Sequence, residues 1–343
     1  MKRSDKDLAF MLRYENVAWY EKGKVKILDR RIYPGEVSYV ECEDHKDVAK
    51  AIKDMVTQSG GPFLAAGMGM ALAAKESQDM REKDFLNYMK EAAYRLSHAR
   101  PTTSEKMVNI VEEMYEVGEK ASKEGKKPDE EIFKRVVNNT NEKYERISKT
   151  AEYLVNTFPQ KGSVMTQCFG ETVVGFMVKL SQDVGKEIRY FCPETRPYLQ
   201  GARLTASVIK DMDGDVTVIT DNMPGYVMKK KNIDVFTSAA DVITLDGHVV
   251  NKIGTFQIAL AANYYGVPYL VTGEPDFKHP HIETVKIEER DPDFVLEAMG
   301  RKTTMEGVKG YYPAFDITPP SMVNGVVTEK GIFSSFDLKS YLR

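Results

Sequence analysis

The 343-residue sequence has few cysteines and no long hydrophobic run. No apolar stretch approaches the about 20 residues needed to cross a bilayer, and the N-terminus lacks the apolar core of a signal peptide. The three cysteines, Cys42, Cys168 and Cys192, are too sparse for a disulfide framework and share no metal-type spacing. These absences predict a cytoplasmic protein with no membrane segment and no metal site.

The chain also lacks a strong excess of charge of either sign. Its 48 Lys and Arg and 51 Asp and Glu leave a formal net charge of -3, which gives no electrostatic argument for nucleic acid as a partner. A hydrophobic content of 42% with 29% charged residues is typical of a globular protein. At this length two domains are expected.

Three phosphate and nucleophile motifs are missing as well. No G-x-G-x-x-G turn follows the first predicted strand of the C-terminal half, where the sequence is CFGETVVG instead, so a dinucleotide cofactor is not expected. The P-loop pattern and the nucleophile elbow are also absent. We therefore expect chemistry that needs no cofactor.

The first 160 residues have alternating and then helical patterns. Residues 12–42 alternate polar and apolar positions around the turns EKGK and YPGE, which predicts short antiparallel strands. From His45 the apolar period becomes helical, and the glycine-rich segment SGGP leads into a helix of small residues. Residues 83–158 read as several helices. The prediction is an N-terminal domain, 1–160, with short strands followed by helices.

From Gly162 onward, apolar runs alternate with helical patterns of about 10–15 residues, which predicts crossover units on a parallel sheet. The runs are apolar on both faces, as expected for strands covered by helices on each side. The fold class is therefore α/β, with a Rossmann-like parallel-sheet domain over 161–343 after a mostly helical N-terminal domain.

Ligands of an open parallel sheet bind beyond the carboxyl ends of its strands. Polar or reactive residues stand where the predicted strands end, namely Cys168, residues 194–196, residues 221–222, Asp241 and Glu274. A helix predicted to begin at Asn251 and Lys252 would aim amide donors and a cation at the same space, which favours an anion. Each residue also has a structural interpretation, as a helix cap, a buried thiol or an ion-pair partner. The set as a whole suits proton transfer on a small phosphorylated molecule.

Several segments together resemble the methylthioribose-1-phosphate isomerases. They are VSYVEC, ARPTT, PETRPYLQGARLTA, ITDNMPG, NKIGT and GYYPAFDITP, and the likeness runs from about Asp29 to Ile332. The same family contains ribose-1,5-bisphosphate isomerases, 5-deoxyribose-1-phosphate isomerases and the regulatory subunits of translation initiation factor 2B. IEERDPDFV favours the methylthioribose-1-phosphate branch. The resemblance implies a cofactor-independent aldose–ketose isomerase that acts on a sugar phosphate and forms a homodimer.

The resemblance also implies roles for individual residues. Cys168 and Asp241 match the catalytic pair of the family. The matching substrate-binding positions are Ser59, Gly60, Gly61, Arg100, Gln200, Asn251 and Lys252. They come from both halves of the chain. Under this hypothesis Asp241 is a buried acid that protonates the ring oxygen, and Cys168 is a thiolate that moves a proton from carbon 2 to carbon 1. A hydride shift is the rival route.

Three positions depart from the family pattern. Ser59 stands where an arginine is usual, Phe169 begins a CFGE segment in place of Cys-Asn-Ala-Gly, and Val242 replaces an arginine that commonly follows the aspartate. These departures favour a sister substrate such as 5-deoxyribose 1-phosphate. A non-catalytic regulatory protein, a ribose-1,5-bisphosphate isomerase and a phosphorylase or sugar-phosphate transferase remain alternatives.

Overall fold

The structure is a computed structural model that describes residues 3–100, 104–298 and 300–342. Residues 101–103 of the ARPTT motif lie outside the described residues. Its contacts divide the chain into two compact units, Met1–Glu145 and Arg146–Arg343. This division falls inside a long helix, whereas the sequence expectation put the boundary at 160. Among the described residues, no helix is both long and apolar enough to span a membrane.

The first unit combines a small antiparallel sheet with helices. Its strands are β1 (Trp19–Glu21), β2 (Lys24–Leu28) and β3 (Tyr39–Cys42), in the order β1-β2-β3. The helices, the last of which runs on into the second unit, are α1 (Tyr14–Val17), α2 (His45–Lys53), α3 (Gly61–Glu76), α4 (Glu82–Ser97), α5 (Ser104–Lys123) and α6 (Pro128–Asn156). The predicted antiparallel strands, the helix from His45 and the small-residue helix after SGGP are all confirmed.

Small residues let helix α3 lie deep in the first unit. Its alanines, glycines and methionines are buried on all sides. A Cβ atom on Gly67 would come within 2.9 Å of Val136, and one on Gly69 within 3.0 Å of Leu96 and Val48. Larger side chains would therefore force the neighbouring helices apart, at a cost typical of overpacked cores.

The second unit contains a seven-stranded sheet with helices between its strands. The strands are β4 (Lys161–Met165), β5 (Glu187–Pro193), β6 (Asp215–Ile219), β7 (Val235–Ala239), β8 (Val242–Ile243), β9 (Val249–Lys252), β10 (Tyr269–Thr272), β11 (Glu297–Ala298), β12 (Arg301–Lys302), β13 (Phe315–Thr318), β14 (Gly325–Thr328) and β15 (Gly331–Phe333). The helices are α7 (Thr172–Asp183), α8 (Ala206–Asp211), α9 (Pro224–Lys231) and α10 (Thr255–Tyr265).

The large sheet has the strand order β15-β14-β10-β7-β4-β5-β6. All neighbouring strands are parallel except the edge strand β15, which is antiparallel to β14. From β4 the chain winds outward to β6 and then returns to β7 and continues the other way. This is the doubly wound order, and it confirms the predicted Rossmann-like class. The hydrophobic core next to the sheet includes Phe236 and Tyr269. The rings of these two residues stack with their centroids 4.4 Å apart.

One local prediction was wrong. Asn251 and Lys252 do not begin a helix but end strand β9, and helix α10 starts at Thr255. Strand β9 lies between β8 and β13 in a separate antiparallel sheet. Gly254, with a φ of 100°, makes the left-handed turn between strand and helix, a conformation that favours glycine.

Candidate active site

Cys168 and Asp241 follow two strands that are neighbours in the centre of the sheet. Strand β4 precedes Cys168 and strand β7 precedes Asp241, and the two strands pair through Val164 with Val235 and Met165 with Phe236. The chain reverses its direction of winding between these strands, so their carboxyl ends flank the switch point of the sheet. Ligands of doubly wound folds bind at such a point.

The backbone holds Cys168 in an uncommon conformation. Its φ is 57°, in the left-handed region that few residues other than glycine adopt. Its amide donates to Thr195 Oγ1 at 3.2 Å, and its carbonyl accepts from Thr205 Oγ1 at 2.5 Å. Strained positions of this kind cost on the order of 1–3 kcal/mol and concentrate at functional sites. The surrounding hydrogen bonds fix the thiol at the strand tip.

A glycine allows the loop after β5 to pack beside Cys168. A Cβ atom on Gly201 would lie 1.8 Å from the carbonyl oxygen of Pro193 and 2.9 Å from Thr195 Oγ1. Gly201 begins the π-helical turn Gly201–Thr205, which ends at the threonine that contacts Cys168. Any larger residue at this position would push that turn away from the thiol.

The antiparallel sheet β8-β9-β13 places Lys252 near the same strand tips. The Asp241 amide donates to the carbonyl of Val250 in β9 at 3.0 Å. Lys252 is buried, and its Nζ lies 4.6 Å from the ring centre of Phe315, the residue opposite it in β13. Asn251 is also buried and donates to Thr255 Oγ1 at 3.0 Å. Burial lowers the pKa of Lys252, whereas the nearby Cys168 and Asp241 act to raise it.

Charge around Cys168 comes from several segments of the second unit. Burial raises the pKa of the thiol to about 11, and Lys252 acts in the opposite direction. The charge of Asp241 raises this pKa further, while Arg290 lowers it. Cys168, Asp241 and Lys252 therefore lie close enough for their charges to interact. A raised pKa favours the neutral thiol in the free protein, whereas the sequence hypothesis assumes a thiolate.

Asp241 also differs from that hypothesis. Its side chain is exposed, although it was expected to be a buried acid. The residue stands on a bend between β7 and β8, outside the apolar strand that precedes it. Burial therefore gives no support to a protonated Asp241 in the free protein.

The remaining predicted residues divide between the two units. Gln200 is buried just before the Gly201–Thr205 turn, and no partner is found for its Oε1 among the described residues. Ser59, Gly60 and Gly61 belong to the first unit, at the N-terminus of α3, where Ser59 is exposed with a φ of 59°. Arg100, the last residue before the undescribed segment, is half-buried. Their roles stay predictions.

Sequence reasoning missed two charged residues beside Lys252. Arg290, in the quoted segment IEERDPDFV, is held by Glu288, and its Cζ lies 5.6 Å from the ring centre of Phe315. Asp316, in GYYPAFDITP, accepts from the amides of Gly254 and Phe256 at 2.7 and 3.1 Å and so caps helix α10. For Asp316 the available signal was a single charged residue inside the segment GYYPAFDITP, whereas Arg290 lies among other charged residues and gave no such signal.

Asp316 should make stability depend on pH. Burial raises its pKa from 3.8 to about 6, against the opposing effect of the amides that it accepts from. The folded state then binds more protons than the unfolded state between about pH 4 and 6, so the free energy of unfolding falls as the pH rises through this window. We expect a decrease of up to about 3 kcal/mol relative to Asp316→Asn, measured by urea unfolding at each pH.

The matched control for this measurement is Asp215→Asn, which changes an exposed aspartate at the start of β6. Its unfolding free energy should follow the wild-type curve across the same pH range. Parallel curves for the wild type and Asp316→Asn would show that Asp316 does not bind a proton in this window.

No group of three or more His, Cys, Asp or Glu side chains within the described ranges is arranged to hold a metal ion. The ionisable side chains that act on one another near the strand tips are a thiol, a carboxylate and two cations. Such a set provides proton donors, proton acceptors and anion binding without further groups.

A doubly wound α/β domain with acid, base and cationic side chains at its switch point is typical of an enzyme. Comparison with known sequences shows which family the chain belongs to. The sequence pattern of the initiation factor 2 subunit family matches residues 61–335, and the chain belongs to this family. It is 36% identical over 320 residues to methylthioribose-1-phosphate isomerase 1 of Pseudothermotoga lettingae, which covers 89% of this chain and 91% of the relative. It is 33% identical over 335 residues to the methylthioribose-1-phosphate isomerase of Desulforamulus reducens, covering 92% and 95%.

Solved structures of the family share the fold over nearly the whole chain. The 5-methylthioribose 1-phosphate isomerase of Pyrococcus horikoshii superposes with a TM-score of 0.83 at 27% identity, covering 96% of this chain and 98% of that one. The translation initiation factor eIF-2B subunit delta of A. fulgidus superposes with a TM-score of 0.79 at 30% identity, covering 93% and 96%. With relatives named as isomerases over most of its length, the chain is an isomerase of this family.

Proposed function

We propose that the protein converts 5-methylthioribose 1-phosphate to 5-methylthioribulose 1-phosphate without a cofactor. The observation that carries this proposal is the pair Cys168 and Asp241 at the two strand tips that flank the switch point, within electrostatic reach of the buried Lys252. The choice of 5-methylthioribose 1-phosphate as the substrate comes from the names of the relatives.

The substrate class sets the chemical problem. The anomeric oxygen of an aldose 1-phosphate carries the phosphate, so the ring opens only when the ring oxygen takes a proton as its bond to carbon 1 breaks. A base must then remove the proton from carbon 2, and carbon 1 must receive a proton. The site therefore needs an acid and a base on the same sugar.

The charges around the pair favour a reversal of the roles assumed from sequence. Cys168, as a neutral thiol, donates its proton to the ring oxygen, and Lys252 stabilises the thiolate that forms. Asp241, whose carboxylate is exposed, takes the proton from carbon 2, which gives an enol phosphate. Asp241 returns this proton to carbon 1 while the hydroxyl on carbon 2 gives its proton to the thiolate. Both residues end in their starting states, and the sugar is isomerised.

The phosphate is an anion and needs donors and cations. Lys252 and Asn251 at the end of β9 are the proposed ligands in the second unit, with Gln200 as a donor or acceptor for a sugar hydroxyl. Within the first unit, Arg100 and the glycine segment at the N-terminus of α3 (residues 59–61) stay proposed substrate-binding positions on the strength of the resemblance, and helix N-termini bind phosphate in general. A cation and oriented amides together provide charge-assisted hydrogen bonds.

A second candidate substrate is 5-deoxyribose 1-phosphate. Ser59 at the start of the glycine segment is a short and exposed side chain, where an arginine is usual in the resemblance described above. Phe169 and Val242, next to the catalytic pair, also depart from that pattern. Changes around an unchanged pair favour the same chemistry on a sugar with a different group at carbon 5.

We also propose a homodimer. Helices α9 and α10 pack on each other and expose the aromatic side chains of Tyr226 and Tyr264, which are 67% and 81% exposed. Exposed aromatic side chains are enriched in protein interfaces.

A substrate panel tests the proposed function. Purified protein is given ribose 1-phosphates that carry methylthio, hydrogen, hydroxyl or phosphate at carbon 5, and ketose formation is followed by NMR. The expected result is the highest kcat/KM for the methylthio sugar. A higher value for the deoxy sugar would favour the second candidate, and no turnover of any sugar would favour a non-catalytic regulatory role like that suggested by the initiation factor relative.

The same panel applied to Ser59→Arg tests whether this departure affects specificity. A new guanidinium at the helix N-terminus should add a phosphate contact and raise kcat/KM by about tenfold, mainly through KM. The control is Ser122→Arg, which adds the same charge near the end of α5. Equal changes in the two variants would assign the effect to net charge.

A further inference from the structure

Gln167 immediately precedes Cys168 and is buried between two other segments of the second unit. Its Nε2 donates to the carbonyl of Ile253 at 3.2 Å, in the turn that follows Lys252. Its Oε1 accepts from Thr195 Oγ1 at 3.4 Å. Both ends of the amide are thus hydrogen-bonded, and the side chain joins the end of β4 to the segments that follow β5 and β9.

The turn after β9 lies directly against this amide. A Cβ atom on Gly254 would come within 3.2 Å of Gln167 Nε2, which is tighter than most Cβ contacts in proteins. Gly254 also has a φ of 100°, a conformation that favours glycine. The space available and the backbone conformation therefore both require glycine at the place where the Gln167 amide packs.

The other partner of Gln167 is also held in place. Thr195 is 1% exposed and has a φ of 65°, a left-handed conformation that β-branched residues rarely adopt. The carboxylate of Asp221, beyond β6, accepts from the amides of Thr195 and Arg196 at 2.8 and 2.7 Å. The Thr195 hydroxyl in turn accepts from the Cys168 amide. Thr195 is therefore a fixed point to which both Gln167 and Cys168 are attached.

The strand on the other side of Gln167 carries the buried lysine of the site. Lys252 ends β9 and lies opposite Phe315 of β13. The Ile253 amide donates to the carbonyl of Ala314 at 3.1 Å, so the segment before β13 fixes one side of the turn. The Ile253 carbonyl accepts from Gln167. The position of the lysine relative to the tip of β4 therefore depends on how this amide is seated.

An amide at this buried position is more costly than an apolar side chain would be. A buried polar group destabilises the fold unless it is hydrogen-bonded, whereas an apolar side chain of similar size fills the same space without that requirement. An apolar side chain would, however, leave the strand tip and the turn unconnected. The two hydrogen bonds of Gln167 thus indicate a function in alignment.

We propose that Gln167 is a positioning residue that sets the spacing between the Cys168 thiol and the Lys252 ammonium. This role rests on the proposed function, in which the thiol protonates the ring oxygen while the lysine stabilises the thiolate and holds the phosphate. An error of about 1 Å in such an alignment can lower a rate on the order of 10²-fold.

The first test is the kinetics of Gln167→Met, which keeps the length of the side chain and removes both hydrogen bonds. We expect kcat for the preferred sugar to fall on the order of 10- to 100-fold, because the acid and the cation lose their alignment. KM should change by less than about twofold, because the groups that bind the phosphate remain. Gln167→Asn keeps an amide that is one methylene too short for both partners, and it should show the same loss.

The matched control is Gln182→Met. Gln182 Nε2 donates to the carbonyl of Met212 at 2.7 Å, and this exposed residue lies near the C-terminal end of α7. The control removes a bond of the same kind in the same unit and should leave kcat and KM unchanged. In a Cys168→Ala background, Gln167→Met should have little further effect on kcat, because the group that it positions is gone. An equal effect in both backgrounds would overturn the proposal.

Hydrogen exchange without any sugar tests the connection itself. Loss of the two hydrogen bonds in Gln167→Met should raise amide exchange about fivefold in the peptides that contain residues 166–169 and 252–255, and not in α7. Cys42 and Cys192 are buried, so their slow alkylation by iodoacetamide, resolved by peptide mass spectrometry, reports that each variant is folded.

The two readouts keep the outcomes distinct. Raised exchange in both segments with no turnover of any sugar by the wild type would retain the connection through Gln167 and reject the proposed function. Turnover by the wild type with unchanged kcat in both Gln167 variants would reject the role of Gln167 and retain the proposed function. A loss that appears in KM alone would also overturn the role, because it would show weaker binding in place of lost alignment.

Discussion

Replacement of Cys168 by alanine is expected to lower kcat for the preferred sugar by about 10²–10⁴-fold, because ring opening loses its proton donor. Cys168→Ser should be almost as slow, since an alcohol is a much weaker acid than a thiol. The kinetics are measured at saturating substrate by NMR or a coupled assay. Both variants should keep the wild-type circular dichroism and melting temperature, because Cys168 lies on a bend beyond the end of β4 and each substitution changes few atoms.

The pH dependence of kcat identifies the role of the thiol. With a pKa of about 11, Cys168 is protonated from pH 7 to 9, so kcat should stay flat over this range if the thiol is the acid. A bound phosphate dianion would raise that pKa further and preserve the flat profile. If the thiolate were the base, kcat would rise tenfold for each pH unit. Such a rise would contradict the proposed assignment.

Cys42→Ala is the matched control for the loss of a thiol. Cys42 is buried in the first unit, at the end of β3, and has no part in the proposed chemistry. This variant should keep its kcat while its stability falls by about 1 kcal/mol through a small cavity. A Cys168→Ala enzyme with near-normal turnover would remove Cys168 from the mechanism.

The sequence was sufficient to predict the doubly wound domain and the rim where Cys168 and Asp241 lie. Strands buried on both faces are apolar along their whole length, so each strand end is visible where polar residues begin. The rule that ligands bind beyond these ends then selects the rim without any knowledge of contacts. Strand β4 before Cys168 and strand β7 before Asp241 both follow this pattern.

Features that depend on distant parts of the chain could not be predicted in the same way. Strand β9 pairs with β13, more than 60 residues later, so from local sequence Asn251 and Lys252 are predicted to start the helical pattern that follows them. Arg290 reaches the site through a single bridge between Glu289 and Pro313 that no periodicity reveals. The raised pKa of Cys168 and the exposure of Asp241 depend on the surrounding packing. The local sequence therefore indicated where these residues lie on the sheet but not how buried or exposed each side chain is.

Asp241→Asn is expected to lower kcat by about 10²–10⁴-fold, because an amide cannot take the proton from carbon 2. The same substitution should make Cys168 more reactive. Asp241 raises the pKa of the thiol, so removal of its charge lowers that pKa and increases the thiolate fraction at a given pH. Turnover and the alkylation rate of Cys168 should thus change in opposite directions in one variant.

These opposite changes are difficult to obtain by unfolding or by a loss of substrate affinity. Cys42 and Cys192 are buried, and unfolding would expose them to alkylation. In a folded Asp241→Asn variant both should therefore react as slowly as in the wild type. Asp215→Asn removes an exposed carboxylate from the edge strand β6 and should alter neither turnover nor alkylation. Near-normal kcat in Asp241→Asn would exclude the residue as the base. Unchanged alkylation would show that its charge does not act on the thiol, and the two strand tips would then not form a single acid–base site.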